Sequence, residues 1–277
     1  MKLSIMSYTL AVQGWQKNGK FDVEGMCKLA KKIGLEGVDM VTTYGINPKE
    51  IRKILSDYAL PCVAYTFFAN LNAYTSIERI KGIDQVRLGI EVACELGAPI
   101  VMIPSPGDNK PRDITRKNYI RALQESAVFA KNASITMTIE NFPGANTPFG
   151  TSSDILEAIR EVPSLRLTFD NGNVFVAGED PAVSIERCKD YIVHSHFKDW
   201  LEDENGMQHL NGKRYIPALI GEGVVNHKDC IKAFRKIGYK GFINIEYESN
   251  KIPVAQAVEK AAKYLNQLIN DCSKDML

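Results

Sequence analysis

The stretch ITMTIEN, residues 135–141, alternates apolar side chains with hydroxyl-bearing ones and then ends on an acid and an amide. Side chains alternate across a strand, so Ile135, Met137 and Ile139 share one face and Thr136, Thr138 and Glu140 the other. The apolar face calls for a layer of helices, which turns Glu140 to the opposite side, at the last position before a loop. The same pattern recurs in LRLTFDN (165–171), IVHSHFK (192–198) and FINIEY (242–247). By the same parity Asp170 lines up with Arg166 and Thr168, His196 with His194 and Lys198, and Glu246 with Asn244 and Glu248.

Upstream lie four further β-branched runs, LSIMSY (3–8), GVDMVT (37–42), CVAYTFF (62–68) and PIVMIP (99–104). Amphipathic segments separate the runs. FDVEGMCKLAKKIG closes on Gly34, TSSDILEAIREVP starts from Ser152 or Ser153 as cap, and NHKDCIKAFRKIG runs from a cap at Asn226 to Gly238. PVAQAVEKAAKYLNQLI follows the last run. Eight alternating βα units predict an α/β fold, a single (β/α)8 TIM barrel forming one domain over residues 1–277. In such a barrel the loops after the strands carry the chemistry. The longest irregular piece, from about Leu201 to Val225, is expected to be an active-site loop.

Composition narrows the function. The net charge of +1 comes from 34 basic and 33 acidic side chains with no polybasic block, which argues against a nucleic-acid partner. Six cysteines lack CxxC or zinc-site spacing, and the start of the chain lacks the features of a signal peptide, so a cytoplasmic protein with reduced thiols is expected. No apolar run approaches the roughly 18 residues that a membrane span needs.

Glu140, Asp170, His196 and Glu246 thus converge on one mouth of the barrel. Clustered carboxylates repel, and removing each from water costs several kcal/mol unless a cation or proton compensates. Any one of them could be an ordinary strand-end acid paired with Arg166 or Lys198. Four in phase on successive strands favour a shared cofactor, one divalent metal ion. The mixed oxygen and nitrogen donors suit Mn²⁺ first, with Mg²⁺, Co²⁺ or Zn²⁺ as substitutes.

The ordered motifs IENF, FDNGN, HSHFKD and IEYE, carried through nearly the whole chain, resemble the sugar phosphate isomerase/epimerase superfamily. That group is similar to xylose isomerase barrels and includes ketose 3-epimerases, inosose dehydratase and hydroxypyruvate isomerase. The resemblance implies that Glu140, Asp170, His196 and Glu246 are metal ligands and that Glu140 and Glu246 are also the catalytic acid/base pair. The implied activity is that of a metal-dependent epimerase or isomerase in carbohydrate metabolism. It would act on a keto sugar or related polyol-derived carbonyl compound by proton transfer through a metal-stabilised enediolate. A lyase using the same enolate is the alternative, by inosose dehydration or by β-elimination from a 3-keto glycoside. Many family members carry His three residues after the aspartate ligand, where this chain has Asn173, which can bind a hydroxyl but cannot shuttle a proton at neutral pH.

Two other classes remain as alternatives. An abasic-site endonuclease of the same barrel type needs three zinc ions and a larger histidine set than the four present here. A non-catalytic sugar-binding barrel would keep affinity for ligand and show no turnover. Among further candidates, Lys198 could polarise a substrate oxygen, and Asp199 could orient a neighbouring side chain. Trp15 and Phe68 could wall a sugar pocket, and Arg214 could meet an anionic group. His227, just after a helix cap, is expected to face solvent, and SPGDNKP (105–111) suits a mobile lid. The expected partner is a small carbohydrate, with no membrane, and pairing into a homo-oligomer through helix faces.

Overall fold

The computed structural model describes residues 1–274. Eight parallel strands close a barrel: Lys2–Met6, Gly37–Val41, Cys62–Thr66, Ile100–Ile103, Thr136–Glu140, Arg166–Asp170, Ile192–Phe197 and Phe242–Ile245. Closure is made by the first strand pairing with the eighth, in register from Lys2↔Phe242 to Ile5↔Ile245. The chain therefore has the (β/α)8 TIM-barrel fold that the alternating pattern predicts. Helices stand between the strands, and the last, Val254–Lys274, follows the eighth strand.

Local signals set the helix ends. Thr75 and Glu78 form a reciprocal capping box ahead of Ser76–Leu96, which stops at Gly97 with φ 76°. The Ser152–Glu161 helix is capped by Thr151, with Asp154 returning the bond, rather than by Ser152 or Ser153. Threonine in extended backbone frees its Oγ to accept the amide three residues on, whereas a serine inside the first turn cannot.

The outward strand faces, including Met137, Ile139, Leu167 and Phe169, are buried in the hydrophobic core with the helices' apolar faces. The inward faces of the fifth to eighth strands are largely polar, while Met6, Val41 and Met102 face the cleft from the first, second and fourth. Thr138 and Thr168 share a 2.8 Å hydrogen bond, and Ser4 donates to Asn244 at 2.9 Å.

Two expectations change. The segment after the seventh strand is not irregular. It forms an antiparallel hairpin of Asp199–Gln208 with Arg214–Ala218, whose register shifts between Glu202 and Met207. A two-stranded, partly exposed hairpin has no apolar run, and its bulge breaks the two-residue period, so alternation does not reveal it. His227 is buried rather than exposed. As the first residue of the His227–Lys236 helix it packs its ring between Phe197 and Tyr264, and its Nε2 lies 3.2 Å from the Lys198 carbonyl.

Candidate functional site

Glu140 and Asp170 end the fifth and sixth strands, His196 is the penultimate residue of the seventh, and Glu246 directly follows the eighth. Although the eighth strand stops at Ile245, the Glu246 amide still donates to the Phe197 carbonyl at 3.0 Å, which holds it at the rim. One potential ligand atom from each of these four buried residues lies within 4.8 Å of the others.

His196 orders the cluster. Its Nδ1 lies 2.6 Å from Glu140 Oε1 and 3.4 Å from Glu246 Oε2, while its Nε2 lies 3.0 Å from Asp39 Oδ2. Asp39 Oδ2 also meets His194 Nε2 at 2.9 Å and accepts from the Asn244 amide at 3.2 Å. The lone acid within GVDMV was the only sequence signal for Asp39. Its side chain is fully buried beneath the rim.

Burial raises the Glu140 carboxyl above its ordinary range, with the neighbouring His196 pulling the other way. Burial likewise lifts Asp170 well above the carboxylate range, against the pull of Lys198. For His196 burial favours the neutral ring, but Glu140 and Asp39 outweigh it and push the imidazole well up. Burial at Asp39 is outweighed by the two histidine hydrogen bonds, which hold its carboxyl far below the usual value. Burial also opposes the charge on Lys198, yet Glu246, Glu248, Asp170 and Glu140 keep the ammonium protonated. Its Nζ lies 2.6 Å from Glu246, 3.2 Å from Glu248 and 3.6 Å from Asp170.

The donor set fits a divalent cation. Asp170 Oδ2 and Glu246 Oε2 are buried with no hydrogen-bond partner, and such oxygens are costly to leave unmatched. A bound cation would take the place of the Nδ1 proton that His196 shares with Glu140, and with Nε2–H given to Asp39 the ring would then offer its Nδ1 lone pair to the ion, the arrangement in which an outer carboxylate sets the tautomer of a ligating imidazole. No thiolate enters the four-residue group, so its oxygen and nitrogen donors suit harder ions.

A cavity of ≈ 180 Å³ opens over Glu140, Lys198, Glu246 and Glu248, walled by Tyr8, Phe68, Phe142 and Pro143. Phe68 is thus at the cleft. Tyr8 and Glu248 join it without having been singled out as site residues. Asn173 lies at the start of the helix below Asp170, its amide donating to Asp170 Oδ1 at 2.7 Å and its side-chain Oδ1 and Nδ2 without partners. Trp15 is held aside, its Nε1 donating to the Asp22 carbonyl at 3.1 Å. Arg214 is on the hairpin, bonded to the Gly206 carbonyl at 2.8 Å. Neither lines the cleft. Asp199 accepts from the amides of Trp200, Gly221, Gly223 and Val225 and so organises the turn before the last barrel unit. In the SPGDNKP segment, Asp108 is tied to Tyr74, Asn72 and Thr115.

Known proteins share this barrel. The family model for the xylose isomerase-like TIM barrel matches residues 27–268. An inosose dehydratase of Lacticaseibacillus casei is 24% identical over 263 residues, 86% of this chain and 86% of its own length. Among solved structures, an L-ribulose 3-epimerase superposes with a TM-score of 0.81 at 14% identity, covering 99% of this chain and 96% of that one. The IOLI protein, solved with a zinc atom bound, does so with a TM-score of 0.79 at 15% identity, covering 98% and 99%. No helix among the described residues is long and apolar enough to cross a membrane.

Proposed function

This chain belongs to the xylose isomerase-like TIM barrel family, and from that premise we propose that it is a divalent-metal-dependent epimerase or isomerase of a keto sugar or polyol-derived ketone. The observation that carries the reading is the pair Glu140 and Glu246, which approach His196 Nδ1 from two strands and line one cleft. Glu140, Asp170, His196 and Glu246 would hold the ion, with Mn²⁺ the first expectation; a zinc-containing neighbour of the same fold supports a metal without choosing it. When bound, the ion supplies Lewis acidity that makes a C–H beside a carbonyl more acidic.

The protein's own groups then move the proton. One glutamate removes it from the carbon next to the carbonyl, and a glutamate on the other side returns it, giving an epimer; return to the neighbouring carbon gives an isomer. Burial raises the Glu140 carboxyl above its ordinary range, against the pull of His196, the direction that suits a general acid/base. Lys198, 2.6 Å from Glu246, holds that carboxylate in place and can donate to a substrate oxygen. The Asn173 side-chain amide is unpartnered but fully buried and outside the cleft lining.

A second reading, dehydration, draws support from the inosose dehydratase relative and from Lys198, which can protonate a departing hydroxyl after the same C–H cleavage. Incubation with keto sugars and inososes in D₂O tests both. Deuterium at the carbon beside the carbonyl with retained hydroxyls indicates epimerase or isomerase; loss of water indicates dehydratase. Turnover with every carbon-bound hydrogen retained would falsify solvent-exchanging proton transfer.

A further inference from the structure

The helix Ser76–Leu96 is apolar on two faces. Gly82, Val86, Gly89, Ile90 and Ala93 are buried on its inner side, yet Ile77, Ile80 and Leu88 stand on the outer side, exposed by 68%, 61% and 46%. The Val23–Lys32 helix instead shows the solvent Lys28, Lys31 and Lys32. Among the described residues Ile77, Phe68 and Ile80 are the three most exposed large hydrophobic side chains. Phe68 belongs to a loop held along the same helix, where the Asn70 amide donates to Gln85 Oε1 at 2.8 Å. An exposed apolar patch rimmed by polar groups marks an interaction surface.

We infer that this face is the contact between two copies of the chain, their Ser76–Leu96 helices packed antiparallel about a two-fold axis with Ile77 of each against Leu88 of the other. The inference stands apart from the proposed reaction and does not depend on it.

The occupant follows from the order of charges along the helix. Residues three, four and seven apart share a helix face, so Ile77, Ile80, Lys81, Asp84 and Leu88 form one outer stripe, all of them exposed. In a two-fold contact such a stripe meets itself running the other way. Setting Ile77 opposite Leu88 then places Lys81 opposite Asp84 and Glu78 opposite Arg87, each pair occurring twice. Sliding one helix by about a turn destroys the match. In one direction Asp84 meets its own counterpart and Lys81 meets Arg87; in the other Lys81 meets its counterpart and Glu78 meets Asp84. Like charges set against each other in a contact repel, so a single register is selected. Within one chain Asp84 already bonds Arg87 at 2.9 Å, but exposed pairs of this kind contribute little, and exchanging partners across the contact costs little. Burial of Ile77, Ile80 and Leu88 supplies the affinity, and the charges supply the register.

Sedimentation equilibrium of the full-length protein tests this. Across about 1 to 100 µM, the range of a modest interface, wild type should show a concentration-dependent dimer. Lys81→Glu gathers four acidic side chains at the centre of the contact and should weaken the dimer at least about tenfold; Asp84→Lys gathers four basic ones and should do the same. The double variant Lys81→Glu/Asp84→Lys reverses both signs and should restore most of the affinity. Ile77→Ser removes apolar burial from both ends of the contact and should also cost at least about tenfold. All three positions are exposed, so each variant should fold, with circular dichroism as the check. A wild-type monomer throughout the range, as when a different protein covers the face, would overturn the inference. So would a dimer indifferent to all of these changes, which pairs through another surface, or a double variant no tighter than either single one.

Discussion

Asp39 supports His196 from inside the barrel: its Oδ2 lies 3.0 Å from Nε2, on the ring edge opposite the Nδ1 that faces Glu140. The pair connects the second strand to the seventh across the barrel interior, so the orientation of a rim residue is set from below. Asp39→Asn removes the charge that selects the Nε2–H tautomer and leaves one histidine facing an amide N–H₂. Mn²⁺ affinity measured by calorimetry should fall about 10–100-fold, the range seen when such supporting groups are lost. An affinity within twofold of wild type, with unchanged circular dichroism, would mean that Asp39 does not position the ligand.

Glu140→Gln and Glu246→Gln keep size and remove the base. Each should lower kcat by about 10²–10⁴-fold on whichever ketone is turned over. Exchange of the substrate's hydrogen with D₂O that survives in one variant while product formation is lost would assign the remaining glutamate as the forward base of the proposed mechanism. His196→Ala should eliminate the tight ion altogether, read as metal per chain by elemental analysis; an unchanged stoichiometry would sink the four-residue site.

Lys198 has a structural role separable from chemistry. Lys198→Met leaves Glu246 and Glu248 without their ammonium, and stripping one partner from a buried pair costs about 3–5 kcal/mol. In metal-free protein Tm should therefore drop by several degrees, at roughly 2–4 °C per kcal/mol for a chain of this size. Added Mn²⁺ should raise Tm more in the variant than in wild type, because the ion takes over neutralisation of the same carboxylates. An equal rise in both would contradict that exchange of roles.

His209 makes a pH signature. Its pKa is pushed from 6.5 to about 4 by burial first and by Lys198 second. The folded state therefore resists a proton that the unfolded chain accepts, and the unfolded state binds more protons between these values. The stability tied to the neutral ring is complete above pH 6.5 and is lost as pH falls to about 4, up to ~3 kcal/mol in all. The Tm of wild type should decline more steeply over this window than that of His209→Gln. Parallel curves would show that the ring is not held neutral.

Much of this site could be read along the chain because strand alternation is a local rule. ITMTIE, LRLTFD and IVHSHF each display their inward acid or histidine to anyone who counts by two, and the structure brings Glu140, Asp170 and His196 together with Glu246. Phe68 stands at the cleft wall, whereas Asn173, named by the same motif as Asp170, is fully buried and outside the cleft lining. Arg214 and Trp15 share the same face of the barrel in sequence terms, yet hydrogen bonds to Gly206 and Asp22 hold them away from the cleft.

What could not be read depends on partners far apart in sequence. A single acid in GVDMV carries no periodic signal; it becomes the support of His196 only because closure sets the second strand across the barrel from the seventh. His227 is buried because the His227–Lys236 helix docks with its first residue between Phe197 and Tyr264, an orientation that the cap motif leaves open. His209 meets Gly144 and Trp200 through a hairpin whose bulge hides its own period. The sequence by itself determined the barrel and the four inward rim residues, since both follow from periods of two and of 3.6 within short segments. Only the tertiary structure decided which charges neutralise one another and which donors remain unpaired, because those depend on distances of a few ångströms between groups 48 to 155 residues apart in the chain.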